Sequence, residues 1–300
     1  MPDPKREMPK AAARATRQRT RSLTRDTLRA LGRHRSALVG ISIIALFGLA
    51  AAIGPFVTPY DPLVGSFSEA LQVPGPHHLL GTDELGRDVL SRILQGGRIS
   101  LLVGLLSASL GMAIGIPLGA ASGYIGGKTD LLVQRVVDIA MAFPGILLAI
   151  AVVNILGMGL WNVMIAIGIS SVPTYTRLVR GAVMAIKEED YVLAEKAIGA
   201  GWVRILFRHV LPNVLGIIVV RTSLQIAEAI LWAGALGFLG LGAQAPTPEW
   251  GAMLSRGRAY MRVAPHLTLF PGLAIMLSVI GFNLLGDGLR DALDPRTRTR

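Results

Sequence analysis

Six stretches of this chain have no good place in water. They cover residues 37–57, 99–124, 132–156, 160–176, 214–240 and 267–289. About 20 apolar residues carry a helix across a bilayer, and a helix satisfies its own backbone N–H and C=O groups where no water can. The expected fold is therefore all-α, a polytopic membrane bundle of six transmembrane helices. Composition agrees: apolar residues make up 52% and charged ones 16%, against about 25% charged in soluble domains. The third stretch opens on a charged turn with Arg135 and Asp138, and the fourth contains Pro173.

Charge sets the expected orientation. The chain carries 30 basic and 19 acidic residues, a net charge of +11. Eleven of the basic residues lie in the tail, residues 1–36. That stretch is longer than the basic start of a cleaved signal peptide, and it reads as an uncleaved anchor's cytoplasmic tail. With the N-terminus inside, inner segments hold 23 Lys and Arg and outer loops hold 6. Lys and Arg favour the cytoplasmic side, so both termini are expected on the cytoplasmic side of a plasma or inner membrane. The tail has no aromatic residue to stack on bases, and no nucleic-acid partner is expected.

The spans carry packing signals. Ser107, Gly111, Gly115, Gly119 and Gly123 recur every four residues. Residues four apart share a helix face, and small ones let a second backbone come close. Pro117, Pro144, Pro173 and Pro271 interrupt spans, which suggests bent helices around a cavity.

Enzyme chemistry finds little support. There is no phosphate-binding P-loop, no His-Glu-x-x-His and no Gly-x-Ser-x-Gly. No cysteine is present, which excludes disulfides and thiolate sites. His77 and His78 adjoin without a third metal ligand at useful spacing. No cofactor or metal is expected on this chain.

The inner loop, 177–213, is too polar and too broken to span. Residues 190–198 read as a short helix with Asp190 as N-cap. Gly199-Ala200-Gly201 breaks it, and a second short helix over 202–211 is stopped by Pro212. Trp202, Ile205, Leu206 and His209 alternate with Arg204 and Arg208. One face could sit in a protein groove or lie on lipid.

At this loop the sequence resembles a family. Permeases of ATP-binding-cassette (ABC) importers carry Glu-Ala-Ala, three residues, Gly, then an Ile/Val-Leu-Pro. Here the counterparts are Leu193-Ala194-Glu195, Gly199 and Val210-Leu211-Pro212-Asn213, with Leu193 and Glu195 departing from the pattern. Gly81-Thr82-Asp83-Glu84-Leu85-Gly86-Arg87-Asp88, in the external loop 58–98, is similar to the dipeptide/oligopeptide/nickel branch. So are Pro246-Thr247-Pro248-Glu249-Trp250-Gly251-Ala252-Met253-Leu254 and Asn283-Leu284-Leu285-Gly286-Asp287-Gly288-Leu289-Arg290-Asp291. The C-type subunit fits best.

The resemblance implies a type I ABC importer permease: half of a translocation pathway for dipeptides or oligopeptides, or alternatively for nickel, an opine or a glycan. It implies a B-type permease as heterodimer partner, two cytoplasmic ATPases that bind ATP and Mg, and an extracytoplasmic substrate-binding protein. Leu193, Ala194, Glu195, Gly199, Trp202 and Pro212 would then touch the ATPase. By their charges, Asp83, Glu84, Arg87 and Asp88 are expected either to form a salt-bridged turn at the external mouth or to touch the binding protein or substrate. Arg221 and Glu228, seven apart in the fifth span, share a face; intramembrane charges pair or face a pathway. An ion-driven transporter would show paired midplane acids in repeated halves, and Glu228 stands alone.

Overall fold

The structure, a computed structural model, describes residues 31, 32 and 34–293. The tail's basic residues up to Arg33, and Arg296, Arg298 and Arg300, lie outside the described residues. Among the described residues there is no strand, only one isolated bridge between Thr82 and Asp88. The long helices are α1 (Arg35–Val57), α2 (Val89–Ile125), α5 (Leu160–Ile186), α8 (Leu211–Phe238) and α10 (His266–Leu293). Shorter ones are α3 (Gly127–Met141), α4 (Gly145–Leu156), α6 (Asp190–Ala197), α7 (Trp202–Ile205) and α9 (Trp250–Gly257).

Among the described residues four helices are long and apolar enough to cross a bilayer: α1, α2, α10, and the helix that runs from Trp202 to Phe238. The stretch expected as one span over 132–156 is a pair of helices, α3 and α4, bent by 91°. The bend falls where Pro144 precedes α4 as its N-cap, because Pro disfavours helical backbone just before it. Counted as one broken span, this pair makes a fifth crossing. Helix α5, expected as a further span, has 27 residues, runs ten past the expected end at 176, and is not among the described helices apolar enough to count as a crossing. It is rich in Ser, Thr and Tyr, and its polar face is enclosed by protein rather than lipid. Hydroxyls also answer its carbonyls: Ser170 donates to Ala166 O at 2.7 Å and Thr176 to Val172 O at 2.8 Å. These bonds suit a helix carrying Pro173 in its interior.

The glycine ladder of α2 is the seam against α5. A Cβ at Gly115 would lie 2.5 Å from Tyr175 Cβ, one at Gly119 2.5 Å from Thr176 O, and one at Gly123 2.7 Å from Arg180 O. The α1–α10 pair uses the same device, Gly40 lying against the Gly281 carbonyl. Helix α2 has 37 residues, about 55 Å at 1.5 Å each. That exceeds the roughly 30 Å of hydrocarbon, and its first turns, before the expected start at 99, are packed in the protein through Val89 and Arg92.

Among the described residues there are four buried clusters, the smallest formed by Leu31, Ala37 and Ala292. Val89, Ile230, Trp250 and Leu267 belong to the first. Val103, Val153, Ile167 and Leu236 belong to the second. The third joins Val179, Val183 and Val214 to Val192, Ile205 and Val210 of the 187–213 segment. That segment is thus part of the core and not a loose loop.

Candidate functional site

Three groups of side chains stand out, and the first is the 187–213 segment. Lys187 Nζ donates to Gly123 O at 3.1 Å, docking its start on the last turn of α2. Helix α6 starts one residue earlier than expected: Glu189, not Asp190, is its N-cap, without a side-chain capping bond. It closes on a Schellman turn. Ala200 N–H donates to Glu195 O and Gly199 N–H to Lys196 O, each at 3.0 Å. Gly199 has φ +85°, a conformation that costs other residues a Cβ clash. A Cβ there would meet nothing within 4 Å in this chain. The glycine is accounted for by its backbone.

Pro212 does not stop the second helix. After α7 the chain makes a π turn over Leu206–Val210 and continues as α8, with Pro212 in its first turn. Leu211 N–H reaches back to Leu206 O. The wider turn brings Pro212 to the start of a new helical run, where its missing N–H costs least. The same turn alters which side chains face out. Ile205, Leu206 and Val210 are buried against the bundle, so the apolar face expected to sit in a groove includes two core residues, Ile205 and Leu206. The exposed apolar surface is made by Tyr191, Leu193, Ile198, Trp202, Val203 and Phe207, with Ile198 78% and Phe207 65% exposed. Trp202 lies beside Tyr124, ring centroids 6.4 Å apart. Ala194 and Pro212 are exposed. Glu195 Oε1 lies 3.5 Å from His209 Nε2, and Asn213 donates to the Tyr191 hydroxyl at 3.1 Å. Burial lifts the Tyr191 phenol above its ordinary range, so it stays a neutral partner.

The second group closes the 58–88 segment over the start of α2. Asp83 accepts from Arg87 Nε at 2.7 Å, from the N–H groups of Leu85 and Arg87, and faces Arg92 Nε at 3.4 Å. Asp88 caps α2 by accepting from Ser91 N–H at 2.7 Å and lies 2.9 Å from His78 Nδ1. Arg92 also donates to Pro62 O at 2.7 Å and is only 1% exposed. These carboxylates are surrounded by donors and buried. Such a network holds a turn rigid and leaves no free carboxylate for proton transfer. The sequence reading missed Arg92 and His78, whose partners lie across a turn. Of the two adjacent histidines, His77 is exposed.

The third group is on α8. Arg221 donates to Glu228 at 3.0 Å and to Gln225 at 2.5 Å. The two charges are thus paired with each other in this structure. One turn away, Tyr175 donates to Thr222, 3.2 Å, which ties α5 to α8. Glu249 was also missed as a functional side chain. It caps α9 through Gly251 and Ala252 N–H at 2.9 and 2.8 Å, and Ser100 reaches it at 3.3 Å. Burial pushes its carboxyl up, and these three donors pull it back. Its place just before Trp250, at the start of a short helix, was the available signal.

Comparison with known proteins places this geometry. The model of binding-protein-dependent transport system inner membrane components matches residues 115–299. The N-terminal transmembrane domain of oligopeptide transport permease C matches residues 22–74. A dipeptide transport system permease protein of Alkalihalophilus pseudofirmus is 48% identical over 275 residues, 92% of this chain and 90% of that protein. A glutathione transport system permease protein of Pectobacterium atrosepticum is 47% identical, covering 90% of each. Among solved structures, an inward-facing MetNI methionine ABC transporter chain superposes with TM-score 0.57 at 20% identity, covering 68% of this chain and 97% of that one. That last likeness concerns the fold.

Proposed function

Since the chain belongs to the family of binding-protein-dependent transport system inner membrane components, we propose that it passes dipeptides or oligopeptides inward under the drive of separate ATPases. It is a transport permease of the ABC importer class. The peptide substrate rests on its relatives, which are named for dipeptide and glutathione transport. In this reading a B-type permease completes the pathway and an external binding protein delivers the substrate. Two cytoplasmic ATPases hold the ATP and Mg, and this chain binds no cofactor. In this reading both termini face the cytoplasm, which the excess of Lys and Arg in the inner segments supports.

One observation carries the mechanism: the helix from Trp202 runs through the π turn into α8 without interruption. A push on the exposed surface of Ile198, Trp202 and Phe207 is therefore a push on the helix that bears Arg221 and Glu228. Its buried side, Ile205, Leu206 and Val210, packs with Val179 and Val183 of α5, so α5 and α8 are displaced together. Packed cores switch between discrete arrangements instead of deforming smoothly. ATPase closure would thus tilt spans and change which end of the pathway is open.

The test is uptake in cells lacking this gene and in cells with it restored. Labelled dipeptides, longer peptides and Ni²⁺ are supplied separately. Loss and recovery of peptide uptake, with Ni²⁺ uptake unchanged, is the expected result. Loss of Ni²⁺ uptake alone would replace the peptide reading.

A further inference from the structure

Helix α6 has eight residues and only one buried side chain, Val192. It connects to α7 through Ile198–Gly201, where a Cβ at Gly199 or Gly201 would meet nothing within 4 Å. A helix so lightly packed beside such an open turn would swing when pushed. Two polar contacts oppose this. Tyr191 and Glu195 are four apart on α6 and share a face. Opposite them His209 and Asn213 are also four apart, one in the π turn and one in α8. Asn213 Nδ2 meets the Tyr191 hydroxyl at 3.1 Å, and His209 Nε2 lies 3.5 Å from Glu195 Oε1. Asn213 also donates to His209 O at 2.5 Å, which binds the two receiving residues to each other.

We propose that Tyr191–Asn213 and Glu195–His209 are the two rungs of a ladder that fixes the angle of α6 against α8. Force arriving on α6 then reaches the span instead of being lost at the Gly199–Gly201 turn. Glu195 is a positioning residue here, which gives a structural role to one of the two departures from the family's loop pattern. The proposal rests on the reading of 187–213 as the ATPase contact. His209 Nε2 is buried without a hydrogen bond of good geometry, so the Glu195 rung has room to tighten when the loop is loaded.

The test uses the whole importer, with its partner permease, ATPases and binding protein, in proteoliposomes. The readout is ATP hydrolysed per peptide taken up. Glu195→Ala and His209→Ala should each raise that ratio about twofold, the size expected of a single partly exposed polar contact. The double variant should match the singles, because both remove one interaction. The exchanged pair, Glu195→His with His209→Glu, should return the ratio towards wild type. Additive losses, or no return in the exchanged pair, would overturn the ladder and leave Glu195 as a direct ATPase contact. The chain has no cysteine, so Glu195→Cys with His209→Cys gives a clean geometric check in native membranes. A short homobifunctional methanethiosulfonate reagent, which replaces the reach of the two native side chains, is expected to crosslink the pair, and failure to crosslink would also overturn the proposal. Because crosslinking needs no transport, it separates failure of the ladder from failure of the transport reading.

Discussion

Replacing Gly199 separates two reasons for a glycine between α6 and α7. One lies in the chain: φ is +85° and the Schellman bonds to Glu195 and Lys196 depend on it. The other lies in the partner: a side chain here would project into an ATPase groove. Within the chain nothing stands within 4 Å of a Cβ, so the internal cost is conformational alone. A left-handed conformation costs a non-glycine residue about 1–2 kcal/mol, which is roughly a 5- to 30-fold loss in the population of the native turn. Asn is enriched several-fold among non-glycine residues in that region and should lose much less. If backbone conformation dominates, uptake per unit of membrane-inserted protein falls in the order Gly, Asn, Ala. If groove space dominates, Ala retains more uptake than Asn. Gly199→Trp fails on either account while still reaching the membrane. The assay is uptake of a labelled dipeptide, normalised to membrane content. Ala outperforming Asn would refute the conformational argument.

Further predictions follow from the packing and the polar groups. Gly115→Ala places a methyl 2.5 Å from Tyr175 Cβ, whereas Gly48→Ala meets nothing within 4 Å. The first should cost about 1–3 kcal/mol, a melting temperature several degrees lower in detergent, and the second should be silent. Glu249→Ala leaves the Gly251 and Ala252 N–H groups buried without an acceptor, at about 1–3 kcal/mol each, read in the same melt. Glu228→Gln and Arg221→Gln should each reduce uptake. Recovery in the double variant assigns the pair to structure, and no recovery assigns one of them to the substrate path. Glu228→Gln with unchanged uptake removes Glu228 from the path.

Much of the bundle was legible because it depends on local spacing. Four-residue steps from Ser107 to Gly123 announce a close helix seam, and the seam with α5 is there. The Asp83 and Arg87 turn was legible for the same reason, since its main partners lie within four residues. Elements that depend on a change of helical register were not. Ile205 and Leu206 fit a groove-facing stripe at the α-helical period, but a π turn that begins at Leu206 changes the register there, and both lie in the core. Pro212 read as a terminator because, without that turn, its ring would strike the carbonyl four residues back. Pro144 signalled a bend, and the bend is there, but its depth was not legible, because the total length of an apolar run is the same for one span and for two short helices. Arg92, His78 and Glu249 find partners across turns or on other helices, and no spacing rule reports those.

The central claim is that ATP hydrolysis in partner chains drives this permease through the 187–213 segment. Uptake of a labelled dipeptide into proteoliposomes holding the whole importer tests it most directly, with ATP supplied or withheld on the cytoplasmic side and ion gradients collapsed by ionophores. The account predicts uptake that requires ATP, survives the ionophores and is lost with Gly199→Trp. Uptake that proceeds without ATP and disappears when the ion gradient is collapsed would contradict it.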